Sequence, residues 1–141
     1  MFKVRSLSIV VLTIILAACG PTGSNSLQVN DVWARPGLAG GNSAVFFVID
    51  NPGADDTLPS VSSDIAGAAE LHKTVMENDV MQMVPQGTVP VPKGKTTFES
   101  GGLHVMLIGL NNDLSDGDSF DVTLTFEKVG QRVLHVTVKE P

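Results

Sequence analysis

The chain has one cysteine in 141 residues, Cys19, and it precedes the part that can fold. From about Leu27 onward there is no thiol. That excludes a disulfide framework, a thiolate metal site and, with it, a blue-copper electron-transfer centre. Basic charge is scarce too, with nine Lys and Arg against fifteen Asp and Glu. Without residues 1–18, which carry Lys3 and Arg5 but no acid, seven basic residues face fifteen acidic ones, a formal charge of −8. Nucleic acid and anionic lipid are poor partners for such a surface. No stretch shows sustained helical periodicity, and there is no internal repeat. The sequence also lacks a Ser-His-Asp arrangement, paired carboxylates in a recognisable motif and a phosphate loop, so it reads as a protein that is not an enzyme.

What is present at the start is an address. Lys3 and Arg5 precede a nearly continuous apolar run from Leu7 to Ala18. That run is about twelve residues, where a membrane-spanning helix needs ~20, and it has the length of a signal-peptide core. It ends Leu16-Ala17-Ala18-Cys19-Gly20, small residues leading into a cysteine. This resembles a bacterial lipobox, with cleavage before Cys19 and lipid attached to its sulfur; the alternative is an ordinary signal peptide with a chance cysteine. The expected organisation is a lipoprotein signal peptide over 1–18, a lipidated Cys19 with a Pro/Gly/Ser tether over 19–26, and one β-sandwich domain over 27–141. Acyl chains would anchor that domain to a membrane surface outside the cytoplasm, in the periplasm or at the cell surface.

Within the domain the apolar pattern comes in short runs separated by Gly, Pro, Asn and Asp. It predicts strands near Leu27–Ala34, Ala44–Asp50, Thr57–Ser62, Ala69–Met76 and Val80–Val84, then Thr96–Glu99, His104–Gly109, Phe120–Glu127 and Arg132–Lys139. Many short strands at this spacing indicate an all-β, antiparallel sandwich or barrel. In the last two strands Val122, Leu124 and Phe126 alternate inward, as do Leu134, Val136 and Val138, while His135 faces out. Trp33 reads as core packing, and Arg35 as a residue that caps a loop.

Four of the five methionines lie between Met76 and Met106, and two of the three histidines lie in or beside that window. In order they read His72, ten residues, Met83, twenty residues, His104-x-Met106. Thioether sulfur is a soft ligand and imidazole a borderline one, a pairing that suits Cu(I) better than zinc, magnesium or calcium. Residues i and i+2 share a strand face, so His104 and Met106 point one way. A two-residue hairpin turn at Asn78-Asp79 would pair Met76 with Met81 and Thr74 with Met83. His72 would then lie diagonally from Met83 on the same face. His72, Met83, His104 and Met106 are therefore the expected metal ligands, with Met76 and Met81 as neighbours able to support the site without ligating.

The text VWARP, AELH, VMENDVMQM, GGLHVMLIGL and LTFEKVG resembles the periplasmic copper(I) chaperone family associated with the Cu-A centre of cytochrome c oxidase. The resemblance implies a cupredoxin-like Greek-key sandwich holding one Cu(I) through those same four residues. Family members often carry Met directly after the first His, where this chain has Lys73. It also implies a job: to accept Cu(I) and pass it to a copper-accepting partner, an oxidase subunit or assembly factor. Two other functions fit the sequence. One is a surface copper scavenger or buffer that delivers to nothing; the other is an immunoglobulin-like interaction module that binds no metal.

Overall fold

The structure is a computed structural model, and it describes residues 25–141. The expected signal peptide, the Cys19 lipid site and most of the tether lie outside the described residues. Eleven strands follow the expected positions closely. They are β1 (Gln28–Ala34), β2 (Asn42–Asn51), β3 (Asp56–Leu58), β4 (Ser60–Ser62), β5 (Ala66–Glu77) and β6 (Val80–Pro85). After these come β7 (Val89–Val91), β8 (Gly94–Phe98), β9 (Leu103–Leu110), β10 (Ser119–Phe126) and β11 (Gly130–Val138).

Two departures have a common cause in proline. The run Thr57–Ser62 divides at Pro59, which has no N–H for a ladder, and becomes β3 and β4. Strand β7 escapes the sequence pattern because Pro90 sits at its centre; it pairs with β3, and Val89 and Val91 are buried.

Nine strands form one sheet in the order β4-β10-β11-β1-β2-β8-β9-β5-β6, and β2 also pairs with β9. The sheet folds on itself as a cupredoxin-like sandwich. Val122, Leu124, Phe126, Leu134, Val136 and Val138 meet Val45, Phe47, Ile49, Leu71, Val105 and Leu107 in one buried cluster. The rings of Phe47 and Phe98 stack inside it, with centroids 4.3 Å apart. The alternation expected for the last two strands holds, with His135 exposed beside Asp121 on the outer face. Most pairings are antiparallel, but β1–β11 and β8–β9 are short parallel contacts. Such contacts arise where the sandwich closes, and strand periodicity carries no information about them.

Asp56, buried at the start of β3, holds the turn between β10 and β11. Its carboxylate accepts the backbone N–H of Thr57 at 2.8 Å, Lys128 at 2.9 Å and Val129 at 3.0 Å. Burial alone would push this carboxyl up, but these donors together with the Lys128 charge hold it below its ordinary value of 3.8.

Candidate metal centre

Strands β9, β5 and β6 lie at one end of the sheet. Alternation gives them a core face and an outer face. Leu71, Val105 and Leu107 take the core face, so His72, His104 and Met106 fall on the other. Register completes the picture: His72 is directly opposite His104, and Glu70 is directly opposite Met106.

The hairpin forms as the sequence predicts. Asn78 and Asp79 have φ of 50° and 62°, the positive pair of a two-residue turn that matches strand twist. Met76 pairs with Met81 and Thr74 with Met83, while His72 faces Pro85 and so lies diagonally from Met83. The hairpin curls back over the sheet: Met83 and Met106 line one cavity of about 170 Å3 together with Arg35, Pro36 and Asn42–Ala44. The structure thus brings Met83 and Met106 together, and it pairs His72 with His104 beside them. Met76 and Met81 do not line this cavity, and both are exposed.

The two imidazoles are buried, at 6% and 3% exposure, although they sit on the outer face. Their ring centroids are 5.9 Å apart. Each ring has one nitrogen engaged by an acceptor. The Nδ1–H of His104 donates to the Gly102 carbonyl at 3.1 Å, and that carbonyl also accepts the Thr74 N–H at 3.0 Å. The Nε2–H of His72 donates to the Glu70 carboxylate at 2.8 Å. This fixes which nitrogen carries the lone pair in each neutral ring. Those nitrogens, His72 Nδ1 and His104 Nε2, are buried and have no hydrogen-bond partner. Buried polar atoms are almost always satisfied. Two orphaned imidazole lone pairs on one face, beside two thioethers, are what a site for a soft or borderline metal ion requires.

Burial holds the His104 imidazole below its ordinary value of 6.5. The Gly102 carbonyl works against this, and the neighbouring His72 and Arg35 add to it. The neutral, ligating form is therefore favoured at near-neutral pH. Among the described residues no three His, Cys, Asp or Glu side chains gather as a metal-holding group; the soft donors nearest this face are the sulfurs of Met83 and Met106, which line one cavity. A larger open hollow of about 370 Å3, bounded by Pro59–Val61, Ala69–Leu71 and Pro85–Gly87, presents neither histidine nor methionine.

Two expectations change. Trp33 is half-buried on the outer face rather than in the core; its ring packs on Phe46 at 4.8 Å, and Phe46 in turn lies 6.4 Å from His104. The bulge between Asn30 and Trp33, where Asp31 has φ of 54°, shifts the register and turns Trp33 outward. Arg35 does hold a loop, but through a side chain: its guanidinium donates to Ser100 Oγ at 2.7 Å and covers the Phe46 ring at 5.3 Å. Trp33, Phe46 and Arg35 form one wall beside the histidines. Glu70 was not singled out by the sequence pattern, although the i, i+2 rule that joins His104 to Met106 also joins Glu70 to His72.

Residues 27–138 match the family model described as "Putative lipoprotein LpqE-like". The chain belongs to the LpqE-like family. Among curated relatives, the LpqE-like chain is 32% identical over 113 residues to protein RP573 of Rickettsia prowazekii, covering 75% of this chain and 62% of that one. It is 31% identical over 121 residues to a lipoprotein of Leifsonia xyli, Lxx21020, covering 83% and 72%. It thus spans less than two thirds of the Rickettsia protein's length.

Solved structures give the same architecture. The apo PCuAC domain from PmoF1 is 29% identical with a TM-score of 0.66, over 82% of this chain and 95% of that domain. The Cu(I) form of DR1885 from Deinococcus radiodurans is 26% identical with a TM-score of 0.59, over 84% and 83%. The copper-bound PCuAC domain from PmoF2, at 22% identity and a TM-score of 0.68 over 82% and 94%, shares the fold.

Proposed function

We propose that this LpqE-like protein is a copper chaperone that binds one Cu(I) through His72 Nδ1, Met83 Sδ, His104 Nε2 and Met106 Sδ and gives it to a partner without catalysis. The observation that carries this reading is the pair of buried, unpartnered imidazole nitrogens on the face that Met83 and Met106 share. The similarity to the PCuAC domain of PmoF1 and to the Cu(I) form of DR1885 supports it. All four ligands are neutral, so the bound site keeps a net charge of +1 and no thiolate grips the ion. Met83 is 55% exposed at the rim, so an incoming sulfur ligand can displace it first. Copper then moves by stepwise ligand exchange, with no change of oxidation state.

The lipoprotein names in the family fit the lipobox reading of Cys19 and a place on a membrane outside the cytoplasm. The acceptor we infer is a protein of cytochrome c oxidase Cu-A assembly. The test is Cu(I) X-ray absorption on the full chain and on the Met83→Leu/Met106→Leu double variant made in a Met76→Leu/Met81→Leu background, which removes the other hairpin sulfurs. The expected result is sulfur and nitrogen scattering in the wild type, with sulfur lost in the double variant. Absence of sulfur in the wild type, or its persistence in the variant, overturns the site. Delivery is tested by mixing loaded protein with an apo oxidase subunit fragment; copper that stays put favours a buffer.

A further inference from the structure

Three methionine side chains on the β5–β6 hairpin are out in solvent. Met76 is 66% exposed, Met81 62% and Met83 55%. Methionine on a strand is usually core filler, but at this exposure none of the three is filling a core. Nor are they scattered. Met76 is directly opposite Met81, and Met83 is two residues beyond Met81 on the same face. Directly opposed residues on a strand pair stand about 4.5–5.5 Å apart at Cβ, and diagonal ones about 7–8 Å. The unbranched methionine side chain, with three rotatable bonds, spans such gaps. Thr74, opposite Met83, is the other residue on this patch. Glu77 and Asp79 near the turn leave the arm mildly acidic despite Lys73.

We propose that Met76, Met81 and Met83 form a second, all-thioether site for a soft monovalent cation, Cu(I) or Ag(I), at the tip side of the main centre. It is the port through which the ion enters and leaves. Three neutral sulfurs in a solvent-exposed patch hold the ion more weakly than a set containing two buried imidazoles, which is what a port requires. Met83 belongs to both sets. An ion held by Met76, Met81 and Met83 reaches the inner centre when the Met76 and Met81 Sδ bonds break and bonds to Met106 Sδ and the two imidazole nitrogens form. Met83 stays bound throughout, and no electron is transferred. The proposal rests on the Cu(I) reading above in its second half only, because the outer site does not need the histidines.

The test titrates the full chain with Ag(I), which is redox-inert, and with anaerobic Cu(I), following the methyl signals of 13C-labelled methionine. Met76→Leu/Met81→Leu is compared with the wild type, with circular dichroism to check the fold. The expected wild type takes up two ions: the first settles in the inner centre and shifts Met83 and Met106, and the second, held by Met76 and Met81 alone once Met83 is committed inward, shifts those two. The double variant should keep the first at unchanged affinity and weaken the second by at least about tenfold, roughly 1.4 kcal/mol. It should also load the inner centre more slowly. A single ion in the wild type, a second ion that binds the variant with undiminished affinity, or a second ion that binds only with dimerisation overturns the port. Loss of the Met106 shift, with Met76, Met81 and Met83 still responding, would instead sink the inner centre and leave the outer one standing.

Discussion

Replacing Glu70 by alanine removes the acceptor that holds the His72 ring, and the cost to copper binding follows from the geometry. The Nε2–Oε2 distance is 2.8 Å, and His72 has only 8% of its side chain exposed, while Glu70 has 46%. A hydrogen bond to a charged group contributes roughly 1.5–3 kcal/mol, but solvent around the carboxylate draws the value toward the lower end. In the free protein the bond fixes the proton on Nε2 and leaves Nδ1 as the ligating nitrogen. Without it the ring can take the other tautomer and must be reoriented on binding. Partners of this kind typically contribute 10–100-fold to metal affinity. With the exposed carboxylate, Glu70→Ala should cost about tenfold, or about 1.4 kcal/mol. Glu70→Gln keeps an acceptor oxygen without the charge and should cost only a few-fold.

The assay is Cu(I) competition against a chromophoric chelator at pH 7.5 for wild type, Glu70→Ala and Glu70→Gln. Unchanged affinity in Glu70→Ala would refute the positioning role. A loss of about a thousandfold or more, the equivalent of about 4 kcal/mol, would also refute it, because it would make Glu70 a ligand in its own right. The order wild type, Gln, Ala is the signature of a residue acting through His72.

Two more outcomes can be checked on the metal-free protein. His104 is held below 6.5 in the fold, so below that pH the unfolded chain binds more protons there than the native state does. The fold should lose stability as pH falls from about 6.5, and Asp56, held below 3.8, should add a further loss as pH falls below about 4. Urea titrations at stepped pH should show both slopes, Asp56→Asn should flatten only the acidic one, and a stability independent of pH between 7 and 3 would contradict both. At the hairpin, Asp79→Gly relieves a positive φ of 62° and should raise the urea midpoint by the equivalent of about 0.5 kcal/mol without altering Cu(I) affinity; a lowered midpoint would mean that the aspartate side chain stabilises the turn.

How far the sequence reached depended on the range of the signal. Strand alternation is local, so the outer strands, their inward residues and the Asn78-Asp79 hairpin were legible, and with them the pairs Met76–Met81 and Thr74–Met83. What joins β5 to β9 is not local. The His72–His104 register depends on how two strands about thirty residues apart in sequence settle against a shared core. Spacing could name His72 and His104 but could not place them face to face. The same limit applied to Trp33. Its pattern is that of a core residue, and only a bulge two positions earlier turns it out to shield Phe46 and the histidine beyond.

Met76 and Met81 come apart from Met83 for a non-local reason too. Alternation puts all three on one face, and the sequence can say no more than that. The curl of the hairpin over β5 and β9 separates them, bringing Met83 to the cavity wall with Met106 and leaving the other two in water. A site in which every sulfur was buried would bind copper and be slow to release it. One in which every sulfur was exposed would release it and discriminate poorly. The bend gives this chain an inner pair of imidazoles sheltered by Phe46 and Arg35 and an outer row of thioethers. Met83 is the one residue whose position lets it serve both.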